Sequence, residues 1–575
     1  NLEGFYLYDE PWNANLYKNT VNNFTEVFPG GFVYLNFFPG YIYNSYEQYE
    51  YTYDDWASLT NQKVDLMFDV YPFMYDGSTD YQRLFDSLDA CRRSGLKYDV
   101  NTAACVQTCG FGSAETGQWS TRMPTEADIL YQNMAYLAYG IKHVSYWKYS
   151  SSVDNNGEIR TDCAIKLDGT PTSTYYHMKR ANPIVHTLGE TLINCDAKEV
   201  YITGSNLYGQ DAVPSYFFVK PGNTSQSLIF SYMQDKDTGR NYLMVVNNNL
   251  TQSITAPLTF DSSITSIEIL NNDNGTWSGA SVNGNYNVNL LPGGAALIAL
   301  PESYRYSGAP EEEGTNILYH KTVYGDSSLG TPGTRYDALP GWYLSCLTDG
   351  YIEANAGLGL NGWCSERKDS SFNTYVKIDL GKAERINTLT LYPVATSTGY
   401  TNYFPKAYKV SVSADGKKWV QVGSETNASP SGTKTYPFSE MSVRYVKVDV
   451  TGMNAIDGKY AAAIAEIEAR STNMEDVFFY VPEQIYLSPK HNSWTETTSS
   501  TFQHYIQDNV DVANSTYSAS PTKSETGAVY FKYENGIYKD LTVRWLDANL
   551  AATYTDGTTG SVSGLFTSVS GDVKS

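Results

Sequence analysis

Two adjacent carboxylates, Asp9 and Glu10, are the residues of this sequence whose types and spacing most directly suggest chemistry. They end a short aromatic and apolar segment, and Pro11, which cannot continue a central strand, follows at once. The strand is therefore predicted to stop there, with both carboxylates at its C-terminal end. A positioned carboxyl group can donate and accept a proton during a reaction. We take Glu10 as the candidate general acid/base and Asp9 as a second catalytic residue beside it.

A third carboxylate, Asp69, ends another apolar segment at 64–73. It is a candidate catalytic residue, either as a nucleophile or as a ligand for a substrate hydroxyl, and Tyr71 lies on the same face of the predicted strand. Trp147 and Tyr149 follow a later strand. Aromatic rings offer flat apolar faces that a bound ligand can pack on, so these three aromatic residues are candidate substrate-binding residues.

Residues 1–195 contain the strands and helices that must position these side chains. Strand-like segments at 31–39, 64–73, 98–108 and 143–149 alternate there with helix-like segments, one of which runs from Pro124 to Tyr139. This alternation is typical of a parallel α/β domain. Five such strands, each with a helix behind it, match the second half of a (β/α)8 TIM-type barrel, in which active sites lie at the C-terminal ends of the strands. The first three strands are missing from this pattern. We therefore expect the sequence to begin within a domain, as a truncated copy of a longer enzyme.

The rest of the chain is predicted to be β-rich, which gives a multidomain protein. Residues 196–302 read as an antiparallel β-sandwich with Asn/Gly turns, and 303–314 as a polar linker. Residues 315–472 contain strands of clean period-2 alternation, so each strand has one buried and one wet face. Residues 473–575 form a further β-rich, Ser/Thr-heavy module that is truncated at its end, and an immunoglobulin-like sandwich is one interpretation of it.

The composition argues against two classes of partner. The 575 residues include 62 acidic and 40 basic side chains, for a formal net charge of -22. A chain whose acidic residues outnumber its basic residues in this way is not expected to bind nucleic acid or an anionic membrane. No apolar run approaches the ~18 residues of a membrane span, so no membrane insertion is predicted. The acidic surface and the 50 Tyr suit a secreted or cell-surface protein that binds sugars.

The seven cysteines are too few for a disulfide scaffold in a chain of this length. Cys105 and Cys109 have no matching second pair, so a zinc site is not expected. Cys346 and Cys364 either form a bridge or are two buried thiols. His143 is expected to pack or to hydrogen-bond locally.

Residues 315–472 resemble the discoidin, or F5/8 type C, domains and the related carbohydrate-binding module family 32. The resemblance rests on LTDG at 347–350, GWCS at 362–365, IDLGK at 378–382, INTL at 386–389, YFPK at 403–406, VSADGKKW at 412–419, RYVKV at 444–448 and AEIE at 465–468. It implies an eight-stranded jelly-roll sandwich with a structural Ca²⁺, for which Asp349 and Glu466 are the implied ligands. Both supply the hard oxygen donors that calcium requires.

In that family the sugar-binding residues lie in loops at one end of the sandwich. The aromatic residues in the corresponding loops here are Trp342, Tyr343, Tyr400 and Tyr403. The resemblance therefore implies that some of these four contact a bound glycan.

Residues 1–195 resemble the catalytic barrels of bacterial glycoside hydrolases. The resemblance rests on YLYDEP at 6–11, DVYPF at 69–73, VQT at 106–108, SYWKY at 145–149 and KLDGTPTSTYY at 166–176, and on LPGG at 291–294 in the following sandwich. It implies hydrolysis of a glycosidic bond, for which one acid protonates the leaving oxygen and a second group stabilises or attacks the anomeric carbon.

Two routes for the second group remain open. In the substrate-assisted route, Asp9 orients an acetamido group of the substrate, which itself attacks. In the ordinary retaining route, a carboxylate on another strand is the nucleophile. The predicted seventh strand of the barrel offers Cys105, Gln107 and Cys109 but no carboxylate, which favours the first route.

The sequence thus predicts a secreted glycoside hydrolase acting on oligosaccharides or polysaccharides, with an appended carbohydrate-binding module that keeps it on its substrate. The alternative is a non-catalytic glycan-binding or adhesive surface protein with a degenerate barrel.

Overall fold

The structure is a computed structural model of the chain. It describes residues 4–11, 17–29, 31–43, 45–59, 64–113, 120–153, 158–160, 163–306, 308, 316–329, 341–355 and 357–471, and the backbone of seven strands between 476 and 561.

The N-terminal region forms a half-barrel of parallel strands backed by helices. Its elements are β1 (Gly4–Asp9), α1 (Lys18–Val27), β2 (Phe32–Phe37), α2 (Tyr46–Leu59), β3 (Asp65–Asp69), α3 (Tyr81–Tyr98), β4 (Thr102–Gln107), β5 (Gly112–Ser113), α4 (Glu126–Ala138), β6 (His143–Trp147), β7 (Ser152–Val153), β8 (Glu158–Arg160) and α5 (Ser173–Leu192). The main sheet has the order β1-β2-β3-β4-β6, and every neighbouring pair is parallel. The predicted half-barrel sheet is confirmed.

The two faces of this sheet differ as the period-2 pattern of its strands dictates. On β3, Leu66 and Phe68 are completely buried in the core against the helices. Met67 lies on the opposite face, together with Asp65 and Asp69. The face turned away from the helices therefore carries the polar residues, including the candidate site.

Local signals in the sequence set the ends of the helices. Helix α3 begins after Asp80, whose side chain accepts a hydrogen bond from the backbone N–H of Arg83. Helix α4 begins with a capping box between Thr125 and Asp128, which satisfies two backbone donors at once. Among the helices of the described residues, none combines the length and apolarity needed to cross a bilayer.

The second unit is an antiparallel sandwich. Its strands are β9 (Cys195–Ile202), β10 (Val219–Pro221), β11 (Leu228–Asp235), β12 (Asn241–Asn247), β13 (Ile254–Phe260), β14 (Ser266–Leu270), β15 (Trp277–Ser281), β16 (Asn285–Leu290) and β17 (Ala295–Ala299). They form a six-stranded sheet, β15-β14-β17-β12-β11-β9, and a three-stranded sheet, β10-β13-β16. The six-stranded sheet shares a continuous core with the half-barrel helices, through Met233 and Met244 among others.

The third unit, residues 316–471, is also built of β-strands. Its elements are β18 (Thr322–Gly325), a 3₁₀ turn (Leu344–Thr348), β19 (Trp363–Cys364), β20 (Thr374–Tyr392), β21 (Ala407–Ser413), β22 (Val420–Glu425), β23 (Lys434–Gly452), β24 (Asn454–Ile456), β25 (Lys459–Ala461), β26 (Ala463–Ile464) and β27 (Glu466–Arg470). The main sheet runs β18-β20-β23-β21-β22. Strand β27 pairs with the last residues of β20, 388–392, on the edge of β20 that faces away from β23. Alternate residues of β20, such as Val376, Ile378 and Leu380, enter the core.

The C-terminal strands are β28 (Asp476–Val481), β29 (Ile485–Leu487), β30 (Trp494–Glu496), β31 (Gly527–Glu534), β32 (Ile537–Leu546), β33 (Ala551–Thr553) and β34 (Thr559–Ser561). Five of them form a sheet in the order β28-β31-β32-β33-β34, and β29 pairs with β30.

Candidate functional site

Asn36 joins two of the predicted site carboxylates at the C-terminal edge of the half-barrel. Its Nδ2 donates one hydrogen bond to Asp9 Oδ1 at 2.9 Å and another to Asp69 Oδ1 at 2.8 Å. Asp9 and Asp69 end β1 and β3, and Asn36 is the penultimate residue of β2, so parallel pairing of these strands brings the three residues close together. The two accepting oxygens can be no farther apart than the length of two hydrogen bonds.

The side-chain oxygen of Asn36 has no hydrogen-bond partner among the described residues. Asn36 is 6% exposed, and its Oδ1 is buried without a hydrogen bond. A buried acceptor without a donor carries a desolvation cost. The site therefore offers an acceptor to a donor from outside the chain, such as a hydroxyl or amide N–H of a ligand.

Asp69 is the most enclosed carboxylate of this group. Burial raises the pKa of Asp69, and the charge of Asp9 raises it further, whereas hydrogen bonds from Tyr71 and Asn36 lower it. Burial also raises the pKa of Tyr71 well above its ordinary value, as does the charge of Asp69. Tyr71 thus donates its hydroxyl to Asp69 and stays neutral.

Two further side chains face these carboxylates. Tyr6 is half-exposed and donates its hydroxyl to Asp9; burial and this hydrogen bond both raise the pKa of Tyr6. Cys105, on β4, pairs in register with Asp69, and burial followed by the charges of Asp69 and Asp9 raises the pKa of its thiol. A buried thiol in an acidic environment is a poor nucleophile, so Cys105 belongs to the wall of the site.

Glu10 has an unusual backbone conformation for a non-glycine residue. Its φ is +47°, and its backbone N–H donates to the carbonyl of Asn36 at 2.7 Å. Left-handed backbone in a non-glycine residue occurs mostly at tight turns and functional sites. Burial raises the pKa of Tyr43, and the negative charge of Glu10 adds to this shift.

The predicted aromatic subsite residues surround this edge. The ring of Tyr71 packs on that of Phe111, with centroids 4.4 Å apart. Trp147 and Tyr149 are 43% and 51% exposed, as expected of rings that are available to a ligand. Phe111 carries no titratable group and was not identified from the sequence.

The end of β4, the predicted seventh barrel strand, has a structural role. The Gln107 side chain accepts from the backbone N–H of Phe73 and donates to the carbonyls of Cys109 and Arg122. Among the described residues, β4 bears no carboxylate. His143 lies at the other end of the sheet face, with its Nε2 3.9 Å from Asp65 Oδ2, which agrees with the predicted local role.

In the third unit the structure separates the four predicted sugar-binding aromatics. Trp342, Tyr400 and Tyr403 form one cluster, with ring centroids 4.5 Å apart for Trp342 and Tyr400 and 5.4 Å for Tyr400 and Tyr403. Trp342 and Tyr403 are only 3% and 2% exposed. Tyr400 is partly exposed and has the guanidinium of Arg367 5.8 Å from its ring centroid. Tyr400 is therefore the ring that a ligand can reach, and the other two support it.

Tyr343, the fourth of these aromatics, lies outside that cluster. It is 1% exposed and packs edge-on against Tyr51 of α2, with centroids 6.1 Å apart. The sequence pattern could not show this, because the contact joins two units of the chain.

The contact between α2 and the third unit is polar and buried. Asp55 Oδ1 accepts from the backbone N–H of Leu344 at 2.8 Å, and Asp55 Oδ2 accepts from the hydroxyl of Ser328. Asp54 likewise accepts from Ser345 and from Lys97. Burial raises the pKa of Asp55 to about 7, although the hydrogen bonds from Ser328 and Leu344 partly offset this.

The two implied calcium ligands lie together in the third unit. Asp349 and Glu466 are 4% and 0% exposed, and within the described part of the chain Asp349 Oδ2 and Glu466 Oε2 have no hydrogen-bond partner. Burial raises the pKa of Glu466 to about 9 and that of Asp349 to about 7, and in Glu466 the charge of Asp349 adds to the shift. Two buried carboxylates with orphaned oxygens fit a hard divalent cation. Within the described part of the chain no three His, Cys, Asp or Glu side chains cluster, so further ligands would be carbonyls or water.

In the structure, Cys346 and Cys364 are two buried thiols and do not form a disulfide bridge. Both are free, buried thiols and belong to different hydrophobic clusters.

Comparison with known families identifies part of the third unit. The F5/8 type C domain family matches residues 342–467, so the chain contains a discoidin-like domain of this type. A search of curated proteins gave no match.

Several solved structures are similar to this part of the chain. A family 32 carbohydrate-binding module from Clostridium perfringens, CpGH89CBM32-5, in complex with GalNAc-β-1,3-galactose, is 20% identical with a TM-score of 0.21, covering 26% of this chain and 96% of that one. The family 32 module of Clostridium perfringens NanJ, in complex with galactose, is 20% identical with a TM-score of 0.21, covering 27% and 98%. Chitosan-binding module 1 from a Paenibacillus sp. IK-5 chitosanase/glucanase is 18% identical with a TM-score of 0.20, covering 28% and 100%.

Proposed function

We propose that this chain binds glycans through its F5/8 type C domain and hydrolyses glycosidic bonds at the edge of the half-barrel. The observation that carries the second part is the pair of carboxylates, Asp9 and Asp69, bridged by Asn36, whose remaining acceptor is buried and unpartnered. Its position at the C-terminal ends of parallel strands is the position of active sites in (β/α)8 barrels.

Each side chain has a role in the proposed reaction. Glu10 protonates the leaving oxygen and then activates water. Asp9, held by Asn36 and Tyr6, orients the group that attacks the anomeric carbon, which in the substrate-assisted route is the substrate's own acetamido oxygen. Asp69 binds a sugar hydroxyl or, in the ordinary retaining route, attacks directly. The absence of a carboxylate on the described β4 supports the substrate-assisted route.

Sugar rings are expected to stack on the exposed aromatics of both sites. Trp147, Tyr149 and Tyr71 would contact the sugar that is cleaved, and Tyr400 would bind a second sugar in the F5/8 type C domain. Weak binding at the second position raises the effective concentration of substrate at the first.

We extend the proposal to an extracellular location, which suits the formal charge of -22, and to a structural Ca²⁺ held by Asp349 and Glu466.

A non-catalytic glycan-binding protein is the second candidate. It is favoured by the position of Glu10, whose charge acts on Tyr43 beyond the loop after β2, whereas Asp9 faces Asn36. In such a protein the half-barrel edge would bind a sugar without cleaving it.

Hydrolysis of aryl N-acetylhexosaminides and galactosides separates the two candidates. We expect turnover by the full chain and a loss of about 10²–10⁴-fold or more in Glu10→Gln, because the proton donor is removed. Glu26→Gln, on the exposed surface of α1, is the matched control and should keep full activity. Turnover that survives Glu10→Gln would remove Glu10 from the mechanism, and a wild-type chain that binds these sugars without turnover would establish the second candidate.

A further inference from the structure

Two loop segments meet beside the half-barrel edge on either side of residues 147–151. On one side, the backbone N–H of Thr108 donates to the carbonyl of Trp147 at 2.8 Å. On the other side, the backbone N–H of Ile165 donates to the carbonyl of Tyr149 at 2.9 Å. The residues that follow β4 and those that lead into α5 are therefore held against the same short stretch of chain.

This arrangement brings the side chains of Cys109 and Cys163 together. The two thiols hydrogen-bond to each other, and both residues are 0% exposed. Cys109 Sγ is also 3.9 Å from the carbonyl of Trp147, and the carbonyl of Cys163 accepts from Thr172 Oγ1 at 2.6 Å. The backbone carbonyl of Cys109 also accepts from Gln107 Nε2 at 3.1 Å, so the backbone of each cysteine is held by a side chain of the surrounding segments.

The remaining five cysteines differ from Cys163 in the pKa of their thiols. Burial raises the pKa of each of their thiols: Cys91, Cys105, Cys195, Cys346 and Cys364. In contrast, the hydrogen bond from Cys109, followed by other contacts that include the charge of Lys148, lowers the pKa of Cys163 to about 7. This shift is a property of the folded chain, and its largest cause is the contact between the two sulfurs.

We propose that Cys109 and Cys163 form a disulfide bond when the chain folds under oxidising conditions. The bond would join the end of β4 to the segment entering α5 and so fix the stretch that bears Trp147 and Tyr149. A metal site is a poor alternative, because the described residues contain no cluster of three or more His, Cys, Asp or Glu side chains. A role in substrate chemistry is also excluded, since both thiols are fully buried.

The reaction balances with a small disulfide such as oxidised glutathione as the oxidant. The Cys163 thiolate attacks one glutathione sulfur, forms a mixed disulfide and releases one glutathione thiolate. The Cys109 sulfur then attacks the Cys163 sulfur, loses its proton to solvent and releases the second glutathione. Two electrons pass from the protein to the glutathione disulfide. Because both sulfurs are buried in the folded chain, this exchange must precede the final packing of the loops.

The test is to refold the full chain from denaturant in a glutathione redox buffer, alkylate all free thiols under denaturing conditions and measure the intact mass. We expect two of the seven thiols to be protected, and a digest to contain the peptides of Cys109 and Cys163 joined. Refolding in excess dithiothreitol should leave all seven thiols open to alkylation. The oxidised protein should also melt several degrees above the reduced protein.

Variants make the assignment specific. Cys109→Ser and Cys163→Ser should each abolish protection of the partner thiol, whereas Cys195→Ser, at a buried site outside the pair, should leave both protected. The proposal is overturned if all seven thiols are alkylated after oxidative refolding, or if the protected pair maps to other cysteines.

Discussion

At the scale of single residues, the candidate site depends on an amide rather than on its carboxylates alone. Asp9 and Asp69 would repel each other at close range, and Asn36 supplies a hydrogen bond to each. The hydroxyl of Tyr6 donates a further hydrogen bond to Asp9, and the hydroxyl of Tyr71 donates one to Asp69. The carboxylates are therefore held in a fixed arrangement before any ligand arrives, which reduces the entropy lost on binding.

Asn36→Ala tests this arrangement through the pH dependence of hydrolysis. Loss of its hydrogen bond should raise the pKa of Asp69 further, since that bond lowers it. Asp69 acts in its ionised form in our proposal, so the acidic limb of the kcat/KM profile should move to higher pH. Tyr71→Phe removes a second hydrogen bond to the same carboxylate and should move the limb in the same direction. Acidic limbs that stay at the wild-type pH in both variants would contradict a role for ionised Asp69.

The sequence allowed some of these residues to be identified and not others. Asp9, Glu10 and Asp69 could be found because carboxylates at predicted strand ends are unusual. Asn36 gave a weaker signal, one polar residue in an otherwise apolar strand, and it was overlooked. The burial of Tyr343 against Tyr51 could not be predicted, because an aromatic residue in a loop looks the same in sequence whether it faces solvent or another unit.

At the scale of elements, α2 links the half-barrel to the F5/8 type C domain through buried carboxylates. Asp55 bonds to Leu344 and Ser328, and Asp54 bonds to Ser345 and Lys97. Burial of an ionised carboxylate is unfavourable because the charge loses its hydration, unless hydrogen bonds from the protein replace that hydration. The raised pKa of Asp55 shows that its compensation is incomplete.

Asp55→Asn should change how stability depends on pH. The folded-state pKa of about 7 lies above the ordinary value, so the folded chain binds more protons than the unfolded chain between about pH 4 and pH 7. The contribution of Asp55 to the free energy of unfolding is therefore greatest at low pH and falls as the pH rises through this window. The neutral asparagine lacks this dependence, so the variant should gain stability relative to wild type from pH 4 to pH 7. Denaturant unfolding at a series of pH values measures the difference, with Asp273→Asn in an exposed turn as control. A constant difference across the window would contradict the assignment.

The two buried carboxylates Asp349 and Glu466 lead to a prediction about calcium and the stability of the F5/8 type C domain. A cation that binds only the folded domain stabilises it by mass action. We expect a chelator to lower the melting temperature of the full chain by several degrees and added Ca²⁺ to restore it. Glu466→Gln should melt at the same temperature with and without chelator. A wild-type melting temperature that does not respond to chelator would remove the calcium proposal.

The elements themselves were largely predictable. The segments expected to be strands at 31–39, 64–73, 98–108 and 143–149 contain β2, β3, β4 and β6, because their apolar runs are bounded by turn residues. The helix predicted from Pro124 to Tyr139 is α4, which its capping residues identify. The contact of Asp55 with Leu344 was not predictable, since it depends on side-chain geometry between residues far apart in the chain.

At the scale of the whole molecule, a β-rich multidomain chain combines a half-barrel sheet with an F5/8 type C domain. The third unit rests directly on α2, so the two candidate sugar sites are held on one body by buried contacts. A fixed spacing favours glycans long enough to reach both sites, because the second contact then costs little additional entropy.

Calorimetric titration of the full chain with an oligosaccharide of galactose or N-acetylhexosamine tests the central claim, that glycans bind at both places. The titration uses the Glu10→Gln chain so that the ligand is not consumed. We predict two binding sites, of which Asn36→Ala weakens only the one at the half-barrel edge and Tyr400→Ala only the one in the F5/8 type C domain. Loss of an aromatic platform or of a bridging hydrogen bond should cost about 1–3 kcal/mol, a weakening of about 5- to 150-fold. Absence of binding, or binding that neither substitution changes, would contradict the account.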